Sequence, residues 1–169
     1  VVSAGFMATH VHFPQTARIA SHGSQLLDWL ERYTFPAEMK FADHAYTRRV
    51  ARAFLQENLR NGITTSCVYC SVHPHSADIL FEEAEALGLR LAAGKVLMDR
   101  NAPDGLRDSA QSGYDDSLTM IRKWHGRGRL LYAITPRFAG TSSSEQLAAA
   151  GALWREHPGC LMQTHIAET

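Results

Sequence analysis

The chain has 169 residues with 17 basic and 17 acidic side chains, so its formal net charge is zero. This balance leaves no basic stripe for phosphate neutralisation, which argues against a nucleic-acid-binding protein. No apolar run approaches the ~18 residues that span a bilayer, so we expect a soluble protein without a membrane partner. Three cysteines, an odd number with no secretory leader, favour a reducing, cytoplasmic compartment. Because the chain starts at Val1 rather than at a methionine, we expect it to belong to a longer protein.

Short apolar runs alternate with amphipathic stretches along the chain. Five runs are predicted as strands, at residues 5–9, 63–70, 89–97, 129–135 and 160–165. Helices are predicted at residues 43–61, 75–87, 114–125 and 144–157, with a further helical stretch at 26–30. Asp43 and Ser144 are the expected N-caps of two of these helices. The polar residues 99–105 predict a substantial loop.

Strands that alternate with helices of this length predict a parallel sheet. A doubly wound sheet is one solution, but no glycine-rich phosphate-binding turn follows the first strand. A complete eight-stranded barrel needs roughly 250 residues. We therefore predict an α/β fold that is a partial (β/α)8 barrel of the TIM type, with about strands 1–5 and four helical crossovers. Residues 1–169 are predicted to form one portion of that barrel, without a second domain.

Two short motifs receive a structural interpretation. Cys67 and Cys70 have the spacing of a redox pair or half a zinc site. Residues three apart on a strand point to opposite faces, so we predict that the two thiols do not cooperate. The segment His73-Pro74-His75 has a proline between its histidines and lies in a predicted turn, so we predict a surface position for it.

Polar side chains follow every predicted strand, at the edge of the sheet where function collects in α/β barrels. His10 and His12 are two residues apart, so on an extended backbone both imidazoles project to one side and can ligate one metal ion. His165 ends the last predicted strand as a possible third ligand. Glu168 is a carboxylate that can accept a proton from an activated water and return it to a leaving group. The alternatives are histidines that only pack, and a glutamate that complements a helix dipole.

A second set of side chains suits a flat, polar ring. Arg137 offers a planar fork of hydrogen-bond donors, and Phe138 offers an aromatic face beside it. Gln15 lies three residues after His12 and can contact the same ligand. The alternative is an arginine in a surface ion pair and a phenylalanine in the core.

Several separated segments resemble one protein family. Residues 5–15, Gly-Phe-Met-Ala-Thr-His-Val-His-Phe-Pro-Gln, are similar to the first-strand motif of the metal-dependent amidohydrolase superfamily. Segments 33–38, 94–101, 135–138 and 163–168 are similar to the guanine deaminase branch of that superfamily. The resemblance extends over essentially the whole chain, in the same order.

The resemblance implies a metal site and a purine site. His10, His12 and His165 would bind a catalytic zinc, with another divalent metal such as iron as the alternative. Gln15, Arg137 and Phe138 would hold the purine, and Glu168 would shuttle protons. The implied reaction is hydrolytic deamination of guanine to xanthine and ammonia by a metal-activated water. The full-length protein is expected to be a cytoplasmic homodimer that acts in purine metabolism.

The chain also departs from the pattern of this family. Ala8 stands where the family usually has an aspartate, and the family's later-strand histidine and aspartate ligands have no counterpart before Thr169. We therefore expect full activity only from the longer protein. A deaminase of another ring, such as cytosine, adenosine or a triazine, stays open because the His-x-His and His-x-x-Glu motifs are shared. Two further alternatives also stay open. One is a binuclear cyclic-amide hydrolase of the hydantoinase or dihydroorotase type, with Lys95 as a carboxylated bridging lysine. The other is a catalytically inactive fragment.

Overall fold

A computed structural model describes residues 2–21 and 25–167 of the chain. Its strands are β1 (Phe6–His12), β2 (Ile63–Tyr69), β3 (Arg90–Gly94), β4 (Val96–Leu97), β5 (Leu130–Pro136) and β6 (Leu161–Met162). Its α-helices are α1 (Leu26–Trp29), α2 (Phe35–Met39), α3 (His44–Arg60), α4 (Pro74–Ala86), α5 (Ala110–Trp124) and α6 (Ser144–Glu156). Between β1 and α3, a 3-10 helix (Phe13–Arg18), a π-helix (Leu30–Thr34) and a 3-10 turn (Lys40–Ala42) join these elements.

The strands form one parallel sheet in which β1 pairs with β2, β2 with β3, and β5 with β6. β3 and β4 both pair with β5, through Leu91 with Leu130 and Val96 with Thr135, so they are two parts of the single predicted strand 89–97. Parallel strands laid side by side in chain order, with helical crossovers, are the arrangement of a (β/α)8 barrel. The predicted fold class, a partial barrel of this kind, is confirmed.

The apolar core lies between the sheet and helices α3 to α6. Its fully buried members include Leu55, Leu80, Phe81, Tyr132 and Leu153. The opposite, concave face of the sheet is much less covered, with the side chains of Met7 and Leu161 71% and 43% exposed. The helices therefore fix the strands from one side and leave the inner face of the barrel open in the described part of the chain.

Helix ends follow the sequence signals with two corrections. Asp43 caps α3 as predicted, because its carboxylate accepts a hydrogen bond from the Tyr46 backbone N–H at 2.6 Å. The cap of α6 is Ser143 and not Ser144, because Ser143 has the extended backbone of an N-cap and its hydroxyl accepts from the Gln146 N–H. Helix α5 begins at Ala110, earlier than predicted, because Ser109 forms a reciprocal capping box with the helix.

Other segments also differ from their predicted extents, among them the last strand, predicted at 160–165 and observed as Leu161–Met162. β1 continues through His12 instead of ending at Thr9. The helical stretch predicted at 26–30 is the start of a helical run that continues to Ala42. The loop predicted at 99–105 includes the start of a short 3-10 turn, Asp104–Leu106.

The cysteine pair and the His-Pro-His segment were both predicted to have no part in a functional site. Cys67 and Cys70 are free thiols, and burial raises the pKa of both. The surface position predicted for His73 and His75 is wrong, because both are half-buried. The His75 Nε2 hydrogen donates to the Phe41 carbonyl at 2.6 Å, which holds the ring inside the fold. None of the helices in the described ranges is long and apolar enough to cross a membrane.

Candidate active site

Three histidine side chains meet at the carboxyl ends of the strands. His10 and His12 lie in the last part of β1, and His165 follows β6. The Nε2 atom of His165 is 3.0 Å from Nε2 of His12 and 3.2 Å from Nε2 of His10. Although His10 and His165 are 155 residues apart in sequence, the parallel sheet brings the ends of their strands to the same edge.

The orientation of His165 is fixed by the backbone of residue 137. The Arg137 carbonyl accepts hydrogen bonds from the His165 backbone N–H at 2.9 Å and from its ring Nδ1 at 2.7 Å. A carbonyl only accepts, so Nδ1 carries the proton, and a neutral ring then has its lone pair on Nε2. Hydrogen bonding of one ring nitrogen to a carbonyl is the usual support of a metal-binding histidine.

His12 is held in the neutral form that metal ligation requires. Its pKa lies well below the ordinary value of 6.5, first because of burial and then because a proton on its ring would be repelled by Arg137 and by protonation of the neighbouring His165 and His10 rings. Its ring stacks on the ring of Tyr69 with 4.4 Å between centroids. Its Nδ1 atom is buried and has no hydrogen-bond partner among the described residues.

These three imidazoles fit a metal ion. Ligand nitrogens placed tetrahedrally at about 2.0–2.1 Å from a metal are roughly 3.3 Å apart, close to the observed 3.0 and 3.2 Å separations. Lone pairs directed at one another repel unless a proton or a cation lies between them. His10, His12 and His165 are the one group of potential metal-ligating side chains that converges in residues 2–21 and 25–167.

The predicted ligand-binding side chains line the same cavity as the histidines. This cavity has a volume of about 250 Å³. Its polar lining comes from Gln15, Arg137 and the three histidines. The ring of Phe138 and the apolar side chains of Leu26, Trp29 and Leu30 form the rest of its wall. The structure thus brings together every predicted site residue that it describes, while Glu168 lies outside the described residues.

Arg137 is not the surface ion pair that the alternative interpretation required. Its side chain is 3% exposed, and its Nη1 donates to Oε2 of Glu38 at 2.7 Å. Glu38 is 1% exposed, and its Oε1 accepts from Nε2 of Gln15 at 3.4 Å. The guanidinium also lies over the ring of Phe35, 5.6 Å from its centroid. The role of Glu38 was missed by sequence reasoning, and its only signal is its place in the 33–38 segment that resembles the family.

The position of Phe138 depends on a glycine. A Cβ atom at Gly140 would lie only 2.3 Å from the Phe138 ring, so a larger residue there would displace the ring. Phe138 is half-buried, and together with Leu30 it separates the histidine cavity from a larger apolar cavity of about 660 Å³. One aromatic face is therefore available at the wall of the histidine cavity.

Lys95 does not line the histidine cavity. Its side chain is fully buried, and its Nζ forms an ion pair with Asp108 at 2.5 Å and a longer one with Asp116 at 3.7 Å. Asp108 also accepts from the Met98 backbone N–H and from the Gln146 amide. A lysine with these partners belongs to the packing between sheet and helices and is not available to bridge two metal ions. The geometry therefore argues against the binuclear alternative.

Known proteins resemble this chain over most of its length. It is 51% identical over 164 residues to the guanine deaminase of Escherichia coli (strain K12), which covers 97% of the chain and 37% of that relative. A solved structure of E. coli guanine deaminase superposes with a TM-score of 0.94 at 50% identity, covering 96% of this chain and 38% of that one. Guanine deaminase from C. acetobutylicum, solved with bound guanine in its active site, has a TM-score of 0.93 at 28% identity, with coverage of 97% and 39%.

The chain spans less than two-fifths of the length of these relatives, so the similarity concerns the part of each protein that it covers. Within that part the folds agree closely, because 96% of this chain superposes with a TM-score of 0.94. The model of the amidohydrolase family matches residues 1–169. The histidine edge of a parallel sheet and this full-length match lead to one conclusion: the chain belongs to the amidohydrolase family.

Proposed function

We propose that the full-length protein containing this chain is a guanine deaminase, which converts guanine and water into xanthine and ammonia. The observation that carries the proposal is that one cavity joins the three converging histidines to Gln15, Arg137 and Phe138. The relatives at 51% and 50% identity are guanine deaminases, which supports the same reaction for this chain. The structure with bound guanine supports a purine as the substrate.

We propose that His10, His12 and His165 hold a zinc ion through their Nε2 atoms, with iron as the alternative metal. When bound, the metal supplies a nucleophile at neutral pH by lowering the pKa of water to about 7. The later-strand histidine and aspartate ligands are expected from the part of the protein beyond these 169 residues. Two features support the three-histidine site: the carbonyl that orients His165 and the low pKa of His12.

The side chains of this chain hold the purine and move its protons. Phe138 supplies a face on which the flat ring stacks, and Arg137 donates to an acceptor on the ring edge. The apolar side chains of Trp29 and Leu30 exclude water from that face. We propose that Glu168 takes a proton from the attacking water and delivers it to the departing amino group, which leaves as ammonia.

The test is an ammonia-release assay on the zinc-loaded full-length protein with guanine. We expect activity in the parent protein and its loss in Glu168→Gln at unchanged zinc content. The matched control is Glu156→Gln, an exposed glutamate at the end of α6. An inactive parent that nevertheless binds zinc through the three histidines would contradict the proposal. Activity in the 169-residue chain alone would contradict the expectation that later ligands are needed.

We propose a homodimer in the cytoplasm, the compartment favoured by the free thiols. Light scattering on the purified full-length protein tests the first, and fluorescence localisation of a tagged protein tests the second.

A further inference from the structure

The two polar side chains that would contact the purine share one buried carboxylate. Oε2 of Glu38 accepts from Nη1 of Arg137, and Oε1 of the same carboxylate accepts from Nε2 of Gln15. Glu38 does not line the histidine cavity and lies behind Arg137 and Gln15 as seen from it. It therefore acts on a ligand only through these two residues.

The carboxylate decides which atom of Gln15 is free for a ligand. An ionised carboxylate only accepts hydrogen bonds, so the Gln15 amide must turn its NH2 group towards Glu38. Its carbonyl oxygen then remains as an acceptor. Arg137 has only donors, and Glu38 occupies Nη1, so the rest of its donor fork remains. The pair thus offers a donor and an acceptor side by side.

This pattern matches one edge of an oxopurine. A ring lactam presents a carbonyl acceptor next to an N–H donor, which is the complement of Arg137 beside Gln15. A 6-aminopurine presents the reverse order, an amino donor next to a ring-nitrogen acceptor. The orientation of Gln15 imposed by Glu38 therefore favours a lactam ring over an aminopurine ring.

The same carboxylate balances charge at this end of the cavity. Arg137 is buried, and an arginine without a partner would attract an anion to this site. Arg137 and Glu38 form an ion pair at 2.7 Å, and the net charge of the pair is zero. The pair leaves this end of the cavity suited to a neutral ring.

We propose that Glu38 is a positioning residue that sets substrate selectivity: it orients Gln15 and Arg137 for a neutral lactam edge and excludes anionic purines. This inference rests on the proposed purine-binding function and deepens it. It also accounts for product release, because xanthine has a second carbonyl and is a stronger acid than guanine. The product anion is then bound less well than the neutral substrate.

The test compares two ligands in Glu38→Gln of the zinc-loaded full-length protein. Glutamine has the same shape but is uncharged, and it turns an NH2 group towards either Gln15 or Arg137. Dissociation constants are measured by calorimetry in mildly alkaline buffer, where xanthine is a monoanion and hypoxanthine is neutral. We expect the ratio of the xanthine constant to the hypoxanthine constant to fall by about tenfold or more. We also expect KM for guanine to rise by about 10- to 100-fold, with a smaller change in kcat.

Two further variants make the result specific. Glu31→Gln removes an exposed carboxylate that lines the neighbouring cavity, and it should leave the ligand ratio unchanged. Glu38→Asp keeps the negative charge on a shorter side chain, so both ligands should weaken while their ratio stays as in the parent. If Glu38→Gln does not fold, Glu38→Asp decides the matter, because a ratio shifted towards xanthine there overturns the proposal.

An unchanged ratio in Glu38→Gln also overturns the proposal. Failure of the deaminase function is a separate result, since ligand binding is measured without turnover. A parent protein that binds hypoxanthine with the expected dependence on Glu38 but releases no ammonia from guanine would sink the proposed reaction and support the selectivity role.

Discussion

Two His-x-His segments in this chain have the same spacing and different surroundings. His10 and His12 lie on the extended backbone of β1, where both rings reach the Nε2 atom of His165. His73 and His75 lie where the chain turns into α4, and Nε2 of His75 is occupied by the Phe41 carbonyl. The spacing alone therefore does not make a metal site. It can form one at a strand end to which a distant strand of the same sheet brings a third histidine.

The second segment is held by packing instead of by converging nitrogens. The ring of His75 stacks on His44 at 3.8 Å and faces His73 at 5.6 Å. His73 is the N-cap residue of α4, directly before Pro74. We therefore expect the two segments to respond differently to the same substitution, the first through metal content and the second through stability.

The largest effect is expected from removing one of the three converging histidine side chains. In the full-length protein, His12→Ala should lose bound metal, and its rate of guanine deamination should fall by at least about a thousandfold because activation of water is lost. His73→Ala should retain its metal and most of its activity. Metal analysis of both purified variants makes the comparison. Equal metal loss in the two variants would contradict the assignment of metal binding to the first segment alone.

The next largest effect is expected from a substitution that changes the proposed purine contacts of the cavity and leaves its three histidines intact. Arg137→Lys keeps the charge beside Glu38 and the backbone carbonyl that orients His165, but it loses the planar fork. KM for guanine should rise by about 10- to 100-fold while the metal content stays constant. Steady-state kinetics with metal analysis measure both quantities. Loss of metal in this variant would show that the two parts of the site do not act separately.

A smaller effect is expected in the second segment. His75→Ala removes one of two donors to the Phe41 carbonyl, which keeps the Thr47 hydroxyl at 3.1 Å, so the loss is that of one hydrogen bond, about 0.5–1.5 kcal/mol. We expect the free energy of unfolding in urea to fall by that amount with metal content unchanged. His44→Ala removes only the stacking partner and serves as the control. Loss of metal in His75→Ala would contradict a structural role for this segment.

The smallest expected effect is on pH dependence. Burial lowers the pKa of His73 and His75 below the ordinary 6.5. As the pH falls below about 6.5, these histidines become protonated in the unfolded state while they are still neutral in the folded state. Acidification therefore favours unfolding, and the stability present above that pH is lost below it. His73→Gln with His75→Gln should therefore lose less free energy of unfolding on acidification than the parent. Urea titrations at several pH values measure this, and identical slopes would contradict it.

Local patterns were sufficient for much of the fold and for the components of the site. The alternation of strands and helices, the cap at Asp43 and the placement of His10, His12 and His165 at strand ends all depend on near neighbours in sequence. Such features are visible without the fold, because backbone periodicity sets which side chains share a face. Sequence alone could not decide whether Ser143 or Ser144 is the N-cap of α6. Both residue types can cap a helix, and only the backbone angles identify the one that does.

What could not be predicted depends on contacts between distant segments. Glu38 and Arg137 are 99 residues apart, and they meet because the helical run between β1 and α3 folds over the end of the sheet. Nothing in residues 33–38 alone marks Glu38 as buried. Lys95 is similar: its strand position was clear, but its pairing with Asp108 depends on the loop that precedes α5.

The most direct test of this account is a crystal structure of the full-length protein, grown with zinc and the neutral ligand hypoxanthine and measured at the zinc absorption edge. We predict an anomalous peak about 2.0–2.1 Å from the Nε2 atoms of His10, His12 and His165. We also predict the ligand ring stacked on Phe138, with its lactam edge towards Arg137 and Gln15. A metal bound elsewhere, or a ligand outside the cavity of these residues, would contradict the proposal that one cavity serves both metal and purine.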